Sequence, residues 1–381
     1  MFVLNNMPTY PLKKLSEICK IKTWKKDVNE GNPNGKFPFF TCAREHTFSD
    51  SYSFDMEALL IAGNGDVGHV QYYKGKFEAY QRTYILHDFS SAISVQYLFL
   101  YLSSFLKETV SKQKLGNTMP YIKLGMLTEF QIPLPPLFVQ EEIVAKLDVA
   151  LASIDEAKTK TEQSLAATRE LWESTLEEAF RGGDGWDEKR LQDICEKITD
   201  WTHQTPKYFD SWVVFLSSKN VTSGKIDWEN IKYIDQKQHL EMHKRVAPRM
   251  NDILLAKNGT TGVAAMVDRD TVFDIYVSLA IIRAKEVISP HFLLYFINSP
   301  TAKKQFNKRL KGSGVPNLHL EEIREVIISY PKKLPEQSHI VTHLDTVRAE
   351  TDRLAGFYEQ KLADLDELRR SVLQEAFAQN T

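Results

Sequence analysis

Leu254-Leu255-Ala256-Lys257-Asn258-Gly259-Thr260-Thr261-Gly262 decides how this chain is read. A second version, Leu60-Ile61-Ala62-Gly63-Asn64-Gly65-Asp66-Val67-Gly68, stands in the first half. Each is an apolar run that ends in Asn-Gly, the dipeptide that tolerates the left-handed backbone of a tight hairpin turn. The first copy is also a literal G-x-G-x-x-G. A phosphate-binding loop of that spelling must open a helix, so that helix amides meet the phosphate. Here the chain runs on as His69-Val70-Gln71-Tyr72-Tyr73-Lys74-Gly75-Lys76-Phe77, which reads as a second strand. Lys257 stands where Gly63 does, so the first glycine is dispensable. The expectation is a glycine turn between two strands, with no cofactor.

Outward from the turns, the likeness extends along the chain. Leu15–Cys19 matches Leu191–Cys195, Ile93–Leu98 matches Ile288–Leu293, and Pro120–Leu124 matches Pro316–Leu320. Gln140, Ile143, Val144, Leu147 and Asp148 match Gln337, Ile340, Val341, Leu344 and Asp345 at an offset of 197 residues. Leu176–Phe180 matches Leu373–Phe377 at the same offset. A fixed offset over such a length is expected of a continuous helix, whose register an inserted residue would break. Ser289 followed by Pro290 predicts a short helix start, with Ser94 at the matching place.

From Gln140 to Phe180 there is neither Pro nor Gly. Ile340, Leu344, Val347, Thr351, Leu354, Tyr358, Leu365, Leu368 and Val372 step mostly by four and three, a heptad seam. Ile143, Leu147, Ala150, Ile154, Ala157, Thr161, Thr168 and Leu171 form a weaker counterpart. The helices could each pack on their own domain; equal lengths favour an antiparallel pair. The expected fold is α+β: two similar mixed α/β domains in a pseudo-twofold repeat, joined by two long helices in an antiparallel coiled coil. The boundaries are 1–136 and 183–334 for the globular parts, and 137–182 and 335–381 for the helices, which serve as spacers and partner-docking surfaces.

Composition narrows function by exclusion. A formal charge of −2 over 381 residues lacks the overall basic excess of a simple nucleic-acid binder, so any such surface is local. Cys19, Cys42 and Cys195 have no metal or disulfide spacing and point to a reducing cytoplasm. No apolar run is long enough to span a membrane. There is no P-loop, no His-Glu-x-x-His and no Asn/Asp-Pro-Pro-aromatic motif. The ten histidines show no ligand-spaced pair on a clear helix, so neither catalysis nor a metal is expected.

Local basic and amide clusters supply candidate DNA contacts. Lys303, Lys304, Lys308, Arg309 and Lys311 form one strip; Lys112, Lys114 and Asn117 form its first-half analogue. A solvated helix face is the competing reading. Lys22, Trp24 and Lys25, with Trp201 and His203, lie near the domain starts, where the tryptophans could equally be core. The turns and their neighbours contribute Asn64, Lys257, Asn258, Thr260 and Asn317. On the helices, Gln140, Ile143, Leu147, Gln337, Ile340 and Leu344 are the candidate partner-binding positions.

With the duplication, the Leu-Leu-Ala-x-Asn-Gly-x-x-Gly element and the Gln-x-x-Ile-Val-x-x-Leu-Asp helix starts in place, the chain resembles the specificity subunits of type I restriction–modification systems along its whole length. The resemblance implies two target-recognition domains, each reading half of a split, asymmetric site in double-stranded DNA. It implies helices that set the spacing and hold two modification subunits, which bind S-adenosylmethionine and methylate adenine. Restriction subunits using ATP and Mg would join to cut. The chain itself would be non-catalytic, without a cofactor, and not membrane-bound. Gly63, in place of the basic or polar residue expected there, leaves the role of the first turn open. A DNA-binding coiled-coil adaptor of another phage-defence complex is the alternative.

Overall fold

The computed structural model describes residues 10–111, 121–201, 206–244, 247–309 and 317–378. Contacts divide the chain into two compact units, one of residues 1–162 with 360–381, the other of 163–359.

In unit 1 the central strand Phe54–Ala62 pairs antiparallel with Val70–Ala79 and with Thr83–His87. The six strands run in the spatial order Lys20–Lys22, Thr83–His87, Phe54–Ala62, Val70–Ala79, Phe37–Phe40, Thr47–Ser49. Ala58 to Ala62 are all buried, as expected of a strand covered on both faces. Leu59 and Ile61 join Tyr97, Leu98, Leu102 and Leu106 of the helix Val95–Ser111 on one face. Ala58 and Leu60 pack with Phe40, Phe54 and Phe77 on the other. A two-stranded ribbon, Leu12–Lys14 with Gln131–Pro133, closes the unit.

Unit 2 repeats the motif with its own additions. Ile253–Ala256 lies between Leu279–Ala284 and Ala264–Met266, and Cys195–Asp200 extends the sheet beyond Leu279–Ala284. Ile253 and Leu255 face Phe292 and Phe296; Leu254 and Ala256 face Val267 and Phe273. Pro290 opens the expected helix, Pro290–Asn298. Here the chain departs from the single first-half helix: Ser299-Pro300 ends one helix and starts another, Pro300–Asn307, capped by Ser299 Oγ accepting from the Ala302 amide. A smaller sheet, Lys232–Ile234, Val213–Leu216 and Phe273–Ile275, carries the helix Gln236–His243.

The long helices run Leu137–Ala179 and Leu334–Ala378. Within each unit their segments lie antiparallel. In unit 1, Lys158 pairs with Asp366 at 2.8 Å and Arg369 with Asp155 at 2.5 Å. In unit 2, Arg169 pairs with Glu359 at 3.1 Å, and the Arg348 guanidinium lies over the Trp172 ring. Leu147, Leu151, Ile154, Thr161, Thr168, Leu344 and Thr351 are buried. Two seam positions differ from expectation: Leu171 and Leu368 are exposed. Trp172, Leu176 and Phe180 take over the inward face in unit 2, because larger side chains bury more apolar area there. Among the described residues no helix is long and apolar enough to cross a membrane.

Candidate nucleic-acid interface

Both glycine turns are hairpin turns, and they share their main backbone hydrogen bonds. The Gly68 amide donates to the Ala62 carbonyl at 2.8 Å; the Gly262 amide donates to that of Ala256 at 2.9 Å. Gly63 N–H reaches Arg82 O and Lys257 N–H reaches Ser278 O; Ile122 N–H reaches Gly63 O and Leu318 N–H reaches Lys257 O. Gly65 and Gly259 have φ of 62° and 79°, Gly68 and Gly262 of 83° and 85°. That left-handed region is costly for other L-residues and explains all four glycines.

Gly63 has a different, steric reason. A Cβ there would stand 2.4 Å from the Arg82 carbonyl oxygen and 2.9 Å from the Tyr84 ring. At the matching place Lys257 has its side chain turned inward to Asp200, where the ammonium forms a buried ion pair. Lys257, expected among the DNA contacts, is only 5% exposed here and is engaged by Asp200.

The other candidates fall into three groups. Trp24, Lys25 and Thr260 are exposed; Lys22 and Asn64 are half-buried. Trp24 meets Phe54 edge-on at 4.8 Å, and the Lys22 ammonium lies 4.7 Å from the same ring. Trp201 is half-buried and packs against two apolar clusters of its unit, which is the core role. Asn258 and Asn317 face each other across an isolated antiparallel bridge, with both side-chain oxygens buried and lacking a hydrogen-bond partner.

The basic strip is partly committed within the protein. Lys304 pairs with Glu177 at 2.7 Å, and the Arg309 guanidinium donates to the Gln305 and Glu325 carbonyls. Lys303 and Lys308 are exposed. Lys112, Lys114, Asn117, His203 and Lys311 lie outside the described residues.

The structure adds residues that sequence reasoning passed over. Gln81 and Arg82 are exposed on the turn beside Gly63, where with Thr23 they line a small polar cleft. Gln and Arg are the side chains that pair bidentately with adenine and guanine edges. In unit 2, Trp212 is exposed, holds φ of 109°, and packs at a tilt against Phe209, ring centroids 5.0 Å apart. Lys232 lies 3.9 Å over the neighbouring Tyr208 ring. Near the first turn, Asp66 accepts from Lys107 and Arg44. The Lys107 hydrogen bond leads in holding its carboxyl below the usual range, although partial desolvation opposes the shift.

The predicted partner-binding positions turn inward. Gln140, Leu147, Gln337 and Leu344 are buried in their own units, and Ile143 and Ile340 pack against the same cores. Helix starts must anchor each helix before any partner can use it, and these residues do so. The outward apolar side chains of the long helices include Phe138, Val149, Leu171, Phe357 and Leu368.

The duplicated domain, whose turns share their main hydrogen bonds and which packs on paired long helices, is that of a DNA-specificity protein by its family: the chain belongs to the type I restriction–modification DNA specificity family, whose model matches residues 8–166 and 183–360. Its role is to supply sequence specificity; it is not the catalytic subunit. It is 26% identical to the type I restriction enzyme EcoDI specificity subunit of Escherichia coli, over 96% of this chain and 87% of that one. It is 22% identical to the MjaVIII specificity subunit of Methanocaldococcus jannaschii, over 72% and 68%. Among solved structures, a chain from a type I restriction–modification system superposes with a TM-score of 0.76 at 19% identity, covering 98% and 99% of the two chains. The HsdS subunit from Thermoanaerobacter tengcongensis gives 0.56 at 18% identity, covering 98% of each.

Proposed function

We propose that this chain reads a bipartite, asymmetric sequence in double-stranded DNA, one half-site per globular part, and directs adenine methylation by two modification subunits docked on its long helices. The boundaries we assign are 1–136 and 183–334 for the reading domains, with helices 137–182 and 335–381 as spacer and docking surface. The observation that carries this is the duplicated hairpin turn: shared backbone hydrogen bonds bear different side chains, Asp66 held by Lys107 and Arg44 in one copy and exposed Thr260 at the matching place in the other. A fixed frame with varied surface suits a reader of two unlike half-sites. S-adenosylmethionine would bind the modification subunits; ATP and Mg would serve restriction subunits where these join. We place the complex in the cytoplasm.

The base-reading candidates are Gln81 and Arg82 with Trp24, Lys25 and Asn64 in unit 1, and Thr260, Asn258 and Asn317 in unit 2. Lys303 and Lys308 supply phosphate charge. Phe138, Val149 and Phe357, each more than half exposed, offer the apolar anchors that protein interfaces use. The test is to co-express the chain with its modification subunits and map methylated adenines. Exchanging residues 1–136 for those of another family member should change one half of the motif and keep the other. A change in both halves, or in neither, overturns the reading.

A further inference from the structure

His239 and His243 stand four residues apart on the helix Gln236–His243, so their rings share one face, centroids 4.7 Å apart. Both meet Asp274, the middle residue of the strand Phe273–Ile275. His239 Nδ1 lies 2.7 Å from one carboxylate oxygen and His243 Nδ1 lies 3.3 Å from the other. One ligand atom from each residue fits within 4.8 Å of the other two. The sequence shows no ligand-spaced histidine pair on a clear helix, because this helix is short and polar and its partner carboxylate comes from a distant strand.

We propose that His239, His243 and Asp274 form a binding site for a divalent transition metal, best suited to Zn²⁺. Two imidazoles and a carboxylate are a donor set that zinc takes readily, with a water in the fourth position. Bonds of about 2.0–2.2 Å to such atoms place neighbouring ligands of a tetrahedron roughly 3.2–3.5 Å apart. His243 Nδ1 already lies 3.3 Å from one Asp274 oxygen and His239 Nδ1 lies 2.7 Å from the other, so a single shared oxygen needs the carboxylate to turn and the closer contact to open by roughly half an ångström or more. Zinc would take the lone pair of each Nδ1; a neutral imidazole would then carry its proton on Nε2, and only an imidazolium would release one to solvent.

The electrostatics point the same way. The Asp274 side chain is 2% exposed, and the two imidazoles are its only ion-pair partners among the described residues. A dication would compensate a charge that burial otherwise disfavours. His243 is partly exposed, leaving a path for the ion and room for the water.

The place also gives the ion a task. Among the described residues, the buried cluster at this helix is Phe215, Ile234 and Met242, with partly buried Trp201, Val213 and Tyr276 packed against it, a small core for a helix on three short strands. A metal bridging helix and sheet would staple what apolar burial holds weakly. The ion would be structural and would not take part in methylation.

Tag-free full-length chain, stripped with chelator, should be titrated with Co²⁺ and Zn²⁺. We expect one equivalent to bind, Co²⁺ to give visible absorption of tetrahedral intensity, and Zn²⁺ to raise Tm. His243→Asn and Asp274→Asn should each weaken binding by about 10-fold or more. His243→Asn keeps a polar side chain at a partly exposed position, so it retains the fold by circular dichroism even where Asp274→Asn does not. No stoichiometric binding at micromolar metal would overturn the proposal. So would binding that His243→Asn leaves unchanged; the cluster would then be a hydrogen-bonded staple alone.

Discussion

The Gln337 side-chain oxygen accepts the Ser289 amide at 2.7 Å, joining the start of one long helix to the start of the short helix Pro290–Asn298. The Gln337 amide nitrogen donates to the Val287 and Pro331 carbonyls at 3.0 and 2.8 Å. Unit 1 has the same clamp: Gln140 accepts from Ser94 and donates to Ala92 and Pro135, each at 2.8 Å. One fully buried carboxamide thus satisfies three backbone groups that helix and loop ends leave open.

Replacing Gln337 by Leu should therefore cost more than one hydrogen bond. It orphans an amide and two carbonyls in a dry site, each worth about 1–3 kcal/mol when unsatisfied. Non-additivity brings the total to about 2–4 kcal/mol. The urea midpoint of the unit 2 transition, followed by tryptophan fluorescence, should fall accordingly. Gln140→Leu should do the same in unit 1. A midpoint within error of the parent would remove the clamp from the account of stability.

Sequence periodicity shows that Gln140 and Gln337 correspond, but not what they do. Their serine partners lie 46 and 48 residues away, and such contacts leave no local pattern. The two hairpin turns are legible because Asn-Gly and positive φ are local facts. Lys257 misleads for the converse reason: a lysine reads as surface charge, and Asp200, 57 residues distant, is what draws it inside. Spacing alone puts Leu171 and Leu368 in the seam, although Trp172 and Phe180 decide which face turns inward in unit 2.

The Lys257–Asp200 pair makes an asymmetric prediction. Lys257→Met strands a largely buried carboxylate and should destabilise unit 2 by about 3–5 kcal/mol. Adding Asp200→Leu should restore most of that loss, since an apolar pair can replace a buried ion pair at little cost. A double-mutant cycle in urea measures this. If the single variant keeps full stability but loses DNA affinity at every sequence, Lys257 works on phosphate and the buried pair is not its role.

Cys19 and Cys195 are buried, and desolvation pushes each thiol up to about 12. The thiolate is the reactive form, so neither should react with iodoacetamide at pH 8 while the chain is folded. Both should react once urea unfolds it, as mass spectrometry of the labelled peptides will show. Rapid labelling of Cys195 in the native chain would mean that the strand Cys195–Asp200 opens readily.

Gly63 and Gly125 test how unit 1 tolerates a single methyl. At Gly63 the new Cβ meets the Arg82 carbonyl oxygen at 2.4 Å, a main-chain atom that can retreat only by moving the strand Thr83–His87. Gly63→Ala should cost about 1–3 kcal/mol as an overpacking change. It should also shift Gln81 and Arg82, so binding of the half-site read by unit 1 should weaken while the other half-site is unaffected. Gly125 sits in the short helix Leu124–Thr128, where an added methyl would have nothing within 4 Å. There Ala lowers the entropy of the unfolded chain and should be neutral, or stabilising by up to about 1 kcal/mol. The two variants differ from the parent by the same atoms, so composition cannot separate them. Equal urea midpoints for Gly63→Ala and Gly125→Ala would show that the first turn has slack. Its missing side chain would then need an explanation other than the close approach of Arg82.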